Sequence, residues 1–165
     1  MNCNSSTWRS TDVNEYEHTQ RAPLHWFLYP PGVFLLAMAW LNRGQVLAAI
    51  ILFGTAAITL AVGFCFQHLT IRDEGASLAI RYGPLPVFRT RIAYADIARV
   101  KPGRTSWIDG WGIHWIPGRG YTYNLWGFSC AELQVEDRTV RIGTDDVENL
   151  TAFLQTKLTQ ANQPG

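Results

Sequence analysis

The feature that most constrains the fold is the apolar segment from residue 46 to residue 66, VLAAIILFGTAAITLAVGFCF, which carries no charged side chain over 21 residues. At a rise of about 1.5 Å per residue, a helix of this length spans about 30 Å, the thickness of the hydrocarbon core of a bilayer. The alternative is a helix buried in a globular core, but such helices are usually shorter and interrupted by polar positions. The segment therefore predicts a transmembrane helix.

A second apolar segment, LHWFLYPPGVFLLAMAWL, occupies residues 24–41. Pro30–Pro31 interrupts it, but proline is tolerated near the first turn of a membrane helix, and aromatic residues near both ends suit the two interfaces. Because only residues 42–45 separate the segments, residues 23–66 predict an antiparallel transmembrane hairpin with spans at 24–41 and 46–66. The alternative is a single span preceded by a re-entrant or interfacial segment.

The charges around the hairpin predict its orientation. The polar residues 1–22 predict a disordered tail and not a cleaved signal peptide, and they supply two arginines, while Arg72 and further basic residues follow the hairpin. The link between the two segments contains Arg43 alone. Since cytoplasmic loops carry an excess of Lys and Arg, we expect a multi-pass protein of the inner, cytoplasmic membrane with both termini in the cytoplasm. An odd number of cysteines, Cys3, Cys65 and Cys130, is consistent with free thiols in a reducing compartment.

Residues 67–160 change from helical to alternating periodicity and predict a separate domain. About seven short apolar-alternating stretches are separated by turn signals, which is typical of an antiparallel barrel or sandwich. The last part of the chain returns to helical spacing, with apolar residues at Val147, Leu150, Leu154 and Leu158. The predicted fold is a membrane helical hairpin followed by a mainly-β domain closed by a C-terminal amphipathic helix, with residues 161–165 as a tail.

The stretch RTVRIGTDDVENLTAFL, from residue 138 to residue 154, resembles the end of the bacterial PH-like domains of the pleckstrin-homology superfold. In these membrane proteins the last strand runs into a polar turn similar to residues 141–146 and then into the closing helix. Leu69–Ile71 is similar to their first strand, and the domain often follows a pair of transmembrane helices. The resemblance covers residues 23–160. It implies a PH-like domain and a binding module, with no particular activity.

The sequence contains no pattern typical of a catalytic, metal or cofactor site. The four histidines have no metal-ligand spacing with each other or with the cysteines, and the acidic pair Asp145–Asp146 suits the first turn of a helix. Gly110–Gly112 begins like a dinucleotide fingerprint but lacks the third glycine and the following helix. We therefore expect no enzyme, no metal and no cofactor. A net charge of +1 also argues against nucleic acid as a partner.

The most aromatic part of the chain, GWGIHWIPGRGYTYNLWGF, covers residues 110–128 and predicts a β-hairpin. With a four-residue turn at 117–120, Ile116 pairs with Tyr121, and alternation places apolar or aromatic residues on both faces. Only one face of a sheet in a small barrel points into the core. The other face is therefore predicted to be a partner-binding surface that consists of His114, Tyr121, Tyr123, Leu125 and the recess at Gly112. The alternative is a bulge that shifts the register, or a covering of the second face by loops and helix.

The leading hypothesis from sequence is a membrane-anchored binding or scaffolding module that docks another protein, for example as an accessory subunit of a membrane complex. The alternative is recognition of anionic lipid headgroups by basic residues of the domain. These residues are Arg89, Arg91, Arg99, Lys101 and Arg104. Enzymatic activity is a distant third.

Overall fold

The computed structural model describes residues 15–161 and contains nine strands and three α-helices in that range. In chain order the elements are β1 (Glu17–Arg21), α1 (Leu24–Leu41), α2 (Val46–Cys65), β2 (His68–Asp73), β3 (Ser77–Gly83), β4 (Arg89–Ala93), β5 (Ile97–Arg104), β6 (Gly112–Ile116), β7 (Gly120–Asn124), β8 (Ser129–Val135), β9 (Arg138–Gly143) and α3 (Val147–Ala161). Short 3-10 turns at Tyr94–Asp96 and Trp107–Asp109 precede and follow β5.

The strands form two sheets. The first sheet has the order β1-β2-β3-β4 with antiparallel neighbours, and the second has the order β5-β8-β9-β7-β6. In the second sheet β7 runs parallel to β9, while the other neighbours are antiparallel. Among the described residues, β4 and β6 each have a strand partner on one side only.

A single apolar core lies between the two sheets and under α3. Leu69 and Ile80 of the first sheet and Leu133 and Ile142 of the second are fully buried. The predicted helical spacing places α3 on this core, where Leu150 and Leu154 are fully buried and the Thr144 hydroxyl accepts a hydrogen bond from the N–H of Asp146. Burial of apolar side chains of this size stabilises the fold by about 2 kcal/mol each.

The predicted fold class, a transmembrane hairpin followed by a PH-like barrel of about seven strands, is wrong. The sheets have four and five strands and do not close into a barrel. The physical reason is the hairpin of β6 and β7, which pairs with β9 in parallel and extends the second sheet outward, so that β6 ends as an open edge. The seven-strand prediction also missed β1, since Glu17–Arg21 lies in the predicted tail but pairs with β2 along its whole length.

The helical pair also differs from the predicted pair of spans. α1 and α2 begin where the apolar segments begin, but in the described part of the chain α2 alone has the length and composition to cross a membrane, because the apolar part of α1, His25–Leu41, is shorter. The two helices pack antiparallel, with Gly63 of α2 against Leu28 and Tyr29 of α1. They leave and rejoin the β-domain at neighbouring points, where the N–H of Ala22 lies 3.4 Å from the carbonyl oxygen of Gln67.

Candidate binding cleft

The hairpin of β6 and β7 has a different register from the predicted one. Ile116 pairs with Gly120, and His114 pairs with Thr122, one residue away from the predicted partners. The turn is shorter than predicted because Gly118 has a φ of +75° and Gly120 a φ of +88°, so Gly120 already belongs to β7. Glycine adopts this left-handed backbone at little cost, and two such residues allow the chain to reverse within residues 117–119.

The shifted register divides the predicted partner-binding residues between the two faces of the hairpin. Tyr121 and Tyr123 share a face with their cross-strand partners Trp115 and Ile113. His114 lies on the opposite face, where its ring is 3.1 Å from the position that a side chain at residue 110 would occupy. This face is covered by the segment 105–111. Since Leu125 is fully buried and Gly112 is buried, neither offers a surface to a partner.

An open cleft runs between the two sheets along β4. It consists of two adjoining cavities of about 240 and 310 Å³ that share Thr90 and Tyr123. The first cavity is lined by Ile80, Tyr82, Val87, Phe88, Arg89, Thr90, Ile113 and Tyr123. The second is lined by Thr90, Arg91, Ile92, Asp96, Tyr121, Tyr123, Val135, Arg138 and Val140. We call these two cavities together the intersheet cleft.

Two tyrosines of β7 form one wall of the intersheet cleft. The rings of Tyr121 and Tyr123 lie nearly parallel, with their centroids 6.5 Å apart and an angle of 13° between their planes. Both rings are half-buried and pack on the core with their remaining surface toward the cleft. Behind them the Tyr82 hydroxyl donates a hydrogen bond to the carbonyl oxygen of Gly112 at 3.2 Å, and burial raises the pKa of Tyr82, so this ring is neutral.

The opposite border of the cleft is the free edge of β4. Just before β4, the N–H of Tyr82 donates to the carbonyl oxygen of Phe88 at 2.9 Å, and just after it the N–H of Tyr94 donates to that of Ala76 at 3.1 Å. Hydrogen-bonded and non-hydrogen-bonded pairs alternate along an antiparallel ladder. These two bonds therefore determine which backbone groups of β4 face β3.

The alternation leaves part of the β4 backbone unpaired. The N–H and C=O groups of Thr90 and Ile92 face β3, while those of Arg89 and Arg91 face away from it. In the described residues no strand pairs with this side of β4. The backbone edge and the inward side chains of Thr90 and Ile92 thus border the same cleft.

The five basic residues of the lipid-binding alternative lie on two strands in different sheets. Arg89 and Arg91 belong to β4, and the others belong to β5. Arg91 forms an ion pair with Glu74 at 2.6 Å, and Lys101 forms one with Glu132 at 2.9 Å. Arg99 and Lys101 line a separate cavity beside Glu132. Two of the five positive charges are therefore partly neutralised, and only Arg89 and Arg91 border the intersheet cleft.

A buried polar cluster lies within the segment 105–111 and links it to Arg119 in the turn between β6 and β7. Asp109 has no exposed surface, accepts a hydrogen bond from the N–H of Ser106 at 2.7 Å, and forms an ion pair with Arg119 at 2.9 Å. Burial alone raises the pKa of this carboxyl, but the Ser106 hydrogen bonds and the Arg119 charge outweigh it and hold the pKa below its usual value. Within residues 15–161, no group of three or more His, Cys, Asp or Glu side chains has a geometry that suits a metal ion.

Sequence reasoning missed the side of the cleft that β4 provides. The alternating stretch VFRTRIAYADI, residues 87–97, predicts a strand here, but an edge strand and a central strand have the same alternation. The arginines of β4 are a signal for an edge, since charged side chains are common on such strands. No protein-family model, curated protein or solved structure matches this chain.

Proposed function

We propose that this protein is a membrane-anchored binding module whose intersheet cleft takes up an extended segment of a partner protein. The segment adds to the free edge of β4 as a further strand of the first sheet. The observation that carries the proposal is the coincidence of an unpaired strand edge with a cleft walled by Tyr121 and Tyr123.

Membrane anchoring is supported by α2. Its 20 residues carry no charge and are apolar apart from two threonines, and 11% of its most apolar 18-residue stretch is buried. A helix that is apolar all round and belongs to a soluble protein is buried in the core. Here large side chains such as Ile50, Phe53 and Ile58 are each about 60% exposed or more. A lipid environment removes this surface from water.

The mode of partner binding is supported by the geometry of the cleft. A strand added to β4 satisfies the outward N–H and C=O groups of Arg89 and Arg91, and its alternate side chains enter the space beside Thr90 and Tyr123. The walls combine the rings of Tyr121 and Tyr123 with polar side chains such as Thr90 and Asp96, so the partner segment carries residues that pack on aromatic rings and also form hydrogen bonds. Arg89 lies at one end and forms no ion pair with another described residue, so an acidic residue of the partner fits there.

The experiment replaces Arg91 with proline or with alanine in the full chain. Both variants lose the ion pair with Glu74, but Arg91→Pro also removes an N–H that faces away from β3 and leaves the ladder with β3 intact. A photoreactive benzoylphenylalanine at Arg138, an exposed position at the other end of the cleft, reports binding by crosslinking in native membranes. We expect Arg91→Ala to keep the crosslinked product and Arg91→Pro to lose it.

The melting temperatures of the two variants are compared first, to show that both fold equally well. Equal amounts of the crosslinked product in both variants would mean that the partner does not use the backbone edge of β4. Equal loss in both would assign the contact to the Arg91 side chain. Either result contradicts strand addition.

A further inference from the structure

The loop between β3 and β4 carries apolar side chains that the fold leaves exposed. Leu85 is 52% exposed, Val87 is 66% exposed and Phe88 is 37% exposed. Pro84 and Pro86 stiffen the same loop. Three neighbouring apolar side chains in one loop are a contiguous surface, which in soluble proteins marks a contact with a partner or a membrane.

The position of this loop identifies what it contacts. The Phe66 ring, which directly follows α2, lies between the β-domain and the loop: its centroid is 4.9 Å from that of Tyr82 and 5.2 Å from that of Phe88. The loop therefore lies at the end of α2 where the chain enters the β-domain. Phe66 thus joins Phe88 of the loop to the end of the helix.

Aromatic side chains of α1 lie near the same end of α2 as the loop. Trp26 is 66% exposed, and its ring centroid is 6.0 Å from that of Tyr29. The Tyr29 hydroxyl accepts a hydrogen bond from Gln67 at 2.9 Å, next to Phe66. Tryptophan and tyrosine concentrate at the boundary between hydrocarbon and water. The end of α2, these aromatic residues and the loop thus share one depth.

From this arrangement we infer that the β3–β4 loop is a second membrane contact, in which Leu85, Val87 and Phe88 insert into the interfacial region of the bilayer beside α2. The inference rests on the proposed anchoring by α2. A flexible linker lets a domain tumble above the membrane, whereas two contacts hold it in one orientation. The first cavity of the intersheet cleft, which Val87 and Phe88 line, then opens close to the membrane surface.

The test measures depth at three positions of the full chain in vesicles of phosphatidylcholine and phosphatidylglycerol. The three native cysteines are replaced by alanine, and a single cysteine carrying an environment-sensitive nitrobenzoxadiazole dye is placed at Val87, Phe53 or Asp137. Phe53 lies within α2, and Asp137 lies in the exposed turn between β8 and β9. We expect the dye at Val87 to emit at shorter wavelength than at Asp137 and to be quenched by lipids that carry a spin label near the headgroup, whereas the dye at Phe53 is quenched by lipids that carry the label deep in the acyl chain.

The three positions separate the inference from the proposed anchoring. If the dye at Phe53 is quenched while the dye at Val87 behaves like the one at Asp137, the loop is in water and the inference is wrong, although the anchor stands. If the dye at Phe53 is not quenched, α2 is not in the bilayer, and both the anchoring and the loop contact are wrong. Quenching at both Phe53 and Val87, with none at Asp137, supports the inference.

Discussion

The register of the β6–β7 hairpin depends on one glycine. Gly120 has a positive φ, and a Cβ atom placed there overlaps the backbone carbonyl oxygen of Thr139 in β9. A neighbouring side chain can move aside, but a backbone carbonyl held in a sheet cannot do so without breaking the pairing of β7 with β9. Gly120 is therefore required both for the turn and for the close approach of the two strands.

This requirement gives a prediction with a matched control. Gly118 also has a positive φ, but a Cβ atom there meets nothing within 4 Å. Gly118→Ala is expected to cost about 1 kcal/mol of backbone strain. Gly120→Ala adds the steric overlap and is expected to lower the free energy of unfolding by about 3 kcal/mol or more. Thermal or denaturant unfolding of both variants measures the difference, and equal effects would show that strand pairing does not depend on this contact.

A second residue-scale feature is the buried Asp73, which joins the first sheet to α3. Burial raises the pKa of its carboxyl, but hydrogen bonds from Lys157, Tyr94 and the N–H of Gly75 outweigh burial and hold the pKa below its usual value. The distances are 3.0 Å to Lys157, 2.8 Å to Tyr94 and 2.8 Å to Gly75. Because the folded state favours the ionised carboxylate, this group stabilises the fold above its unfolded-state pKa.

The stabilisation by Asp73 is expected to disappear in acid. It is fully present above the unfolded pKa of about 4 and is lost as the pH falls through the lower folded pKa. The difference in melting temperature between the native protein and Asp73→Asn is therefore largest near neutral pH and shrinks below about pH 4. Glu136→Gln is the control, since the pair of Glu136 with Arg138 is exposed on both sides and contributes little at any pH. A difference that does not change with pH would contradict a role for the carboxylate charge.

At the scale of elements, the sequence predicted individual segments better than their arrangement. The bounds of α1, α2 and α3 follow from runs of apolar residues and their spacing, which are local properties. The strand β1 was missed because EHTQR contains no apolar alternation. It forms because Gln20 and its neighbours pair with β2, with contacts from His18 and Tyr16 to Asp145 and Asp146 at the start of α3.

The candidate site was predicted only in part for the same reason. The aromatic composition of β7 indicated Tyr121 and Tyr123, and both line the intersheet cleft. His114 and Gly112 were assigned to the face of the tyrosines because a one-residue error in the turn exchanges the faces of one strand relative to the other. Leu125 follows β7 and is fully buried in the core, which its spacing from the tyrosines does not reveal. The free edge of β4 depends on which strands meet across the molecule, and its arginines are a local signal for an edge but do not show what the edge borders.

At the scale of the whole molecule, the two helices project from one end of the β-domain and meet at a distal link. β1 and β2, which flank the helices in sequence, pair with each other, so the chain leaves and re-enters the domain on the same side. The link at residues 42–45 contains Arg43, whose guanidinium lies over the Trp40 ring at 4.7 Å from its centroid. If α2 crosses the bilayer, Gln45 and the β-domain are on opposite sides.

The distribution of basic residues predicts which side of the membrane the link and the β-domain occupy. The segments on the domain side include Arg21, Arg72 and the arginines of β3 and β4, whereas the link carries Arg43 alone. Because Lys and Arg are retained on the cytoplasmic side, the β-domain is expected in the cytoplasm and the link outside it.

In a chain whose native cysteines are replaced, a cysteine at Gln45 should then react with a membrane-impermeant thiol reagent in intact cells. A cysteine at Asp137 should react only after the cells are permeabilised. Both positions are exposed, so a difference in labelling reports the side of the membrane and not burial. Labelling of Asp137 alone in intact cells would reverse the orientation, and equal labelling of both positions would mean that α2 does not separate them across a bilayer.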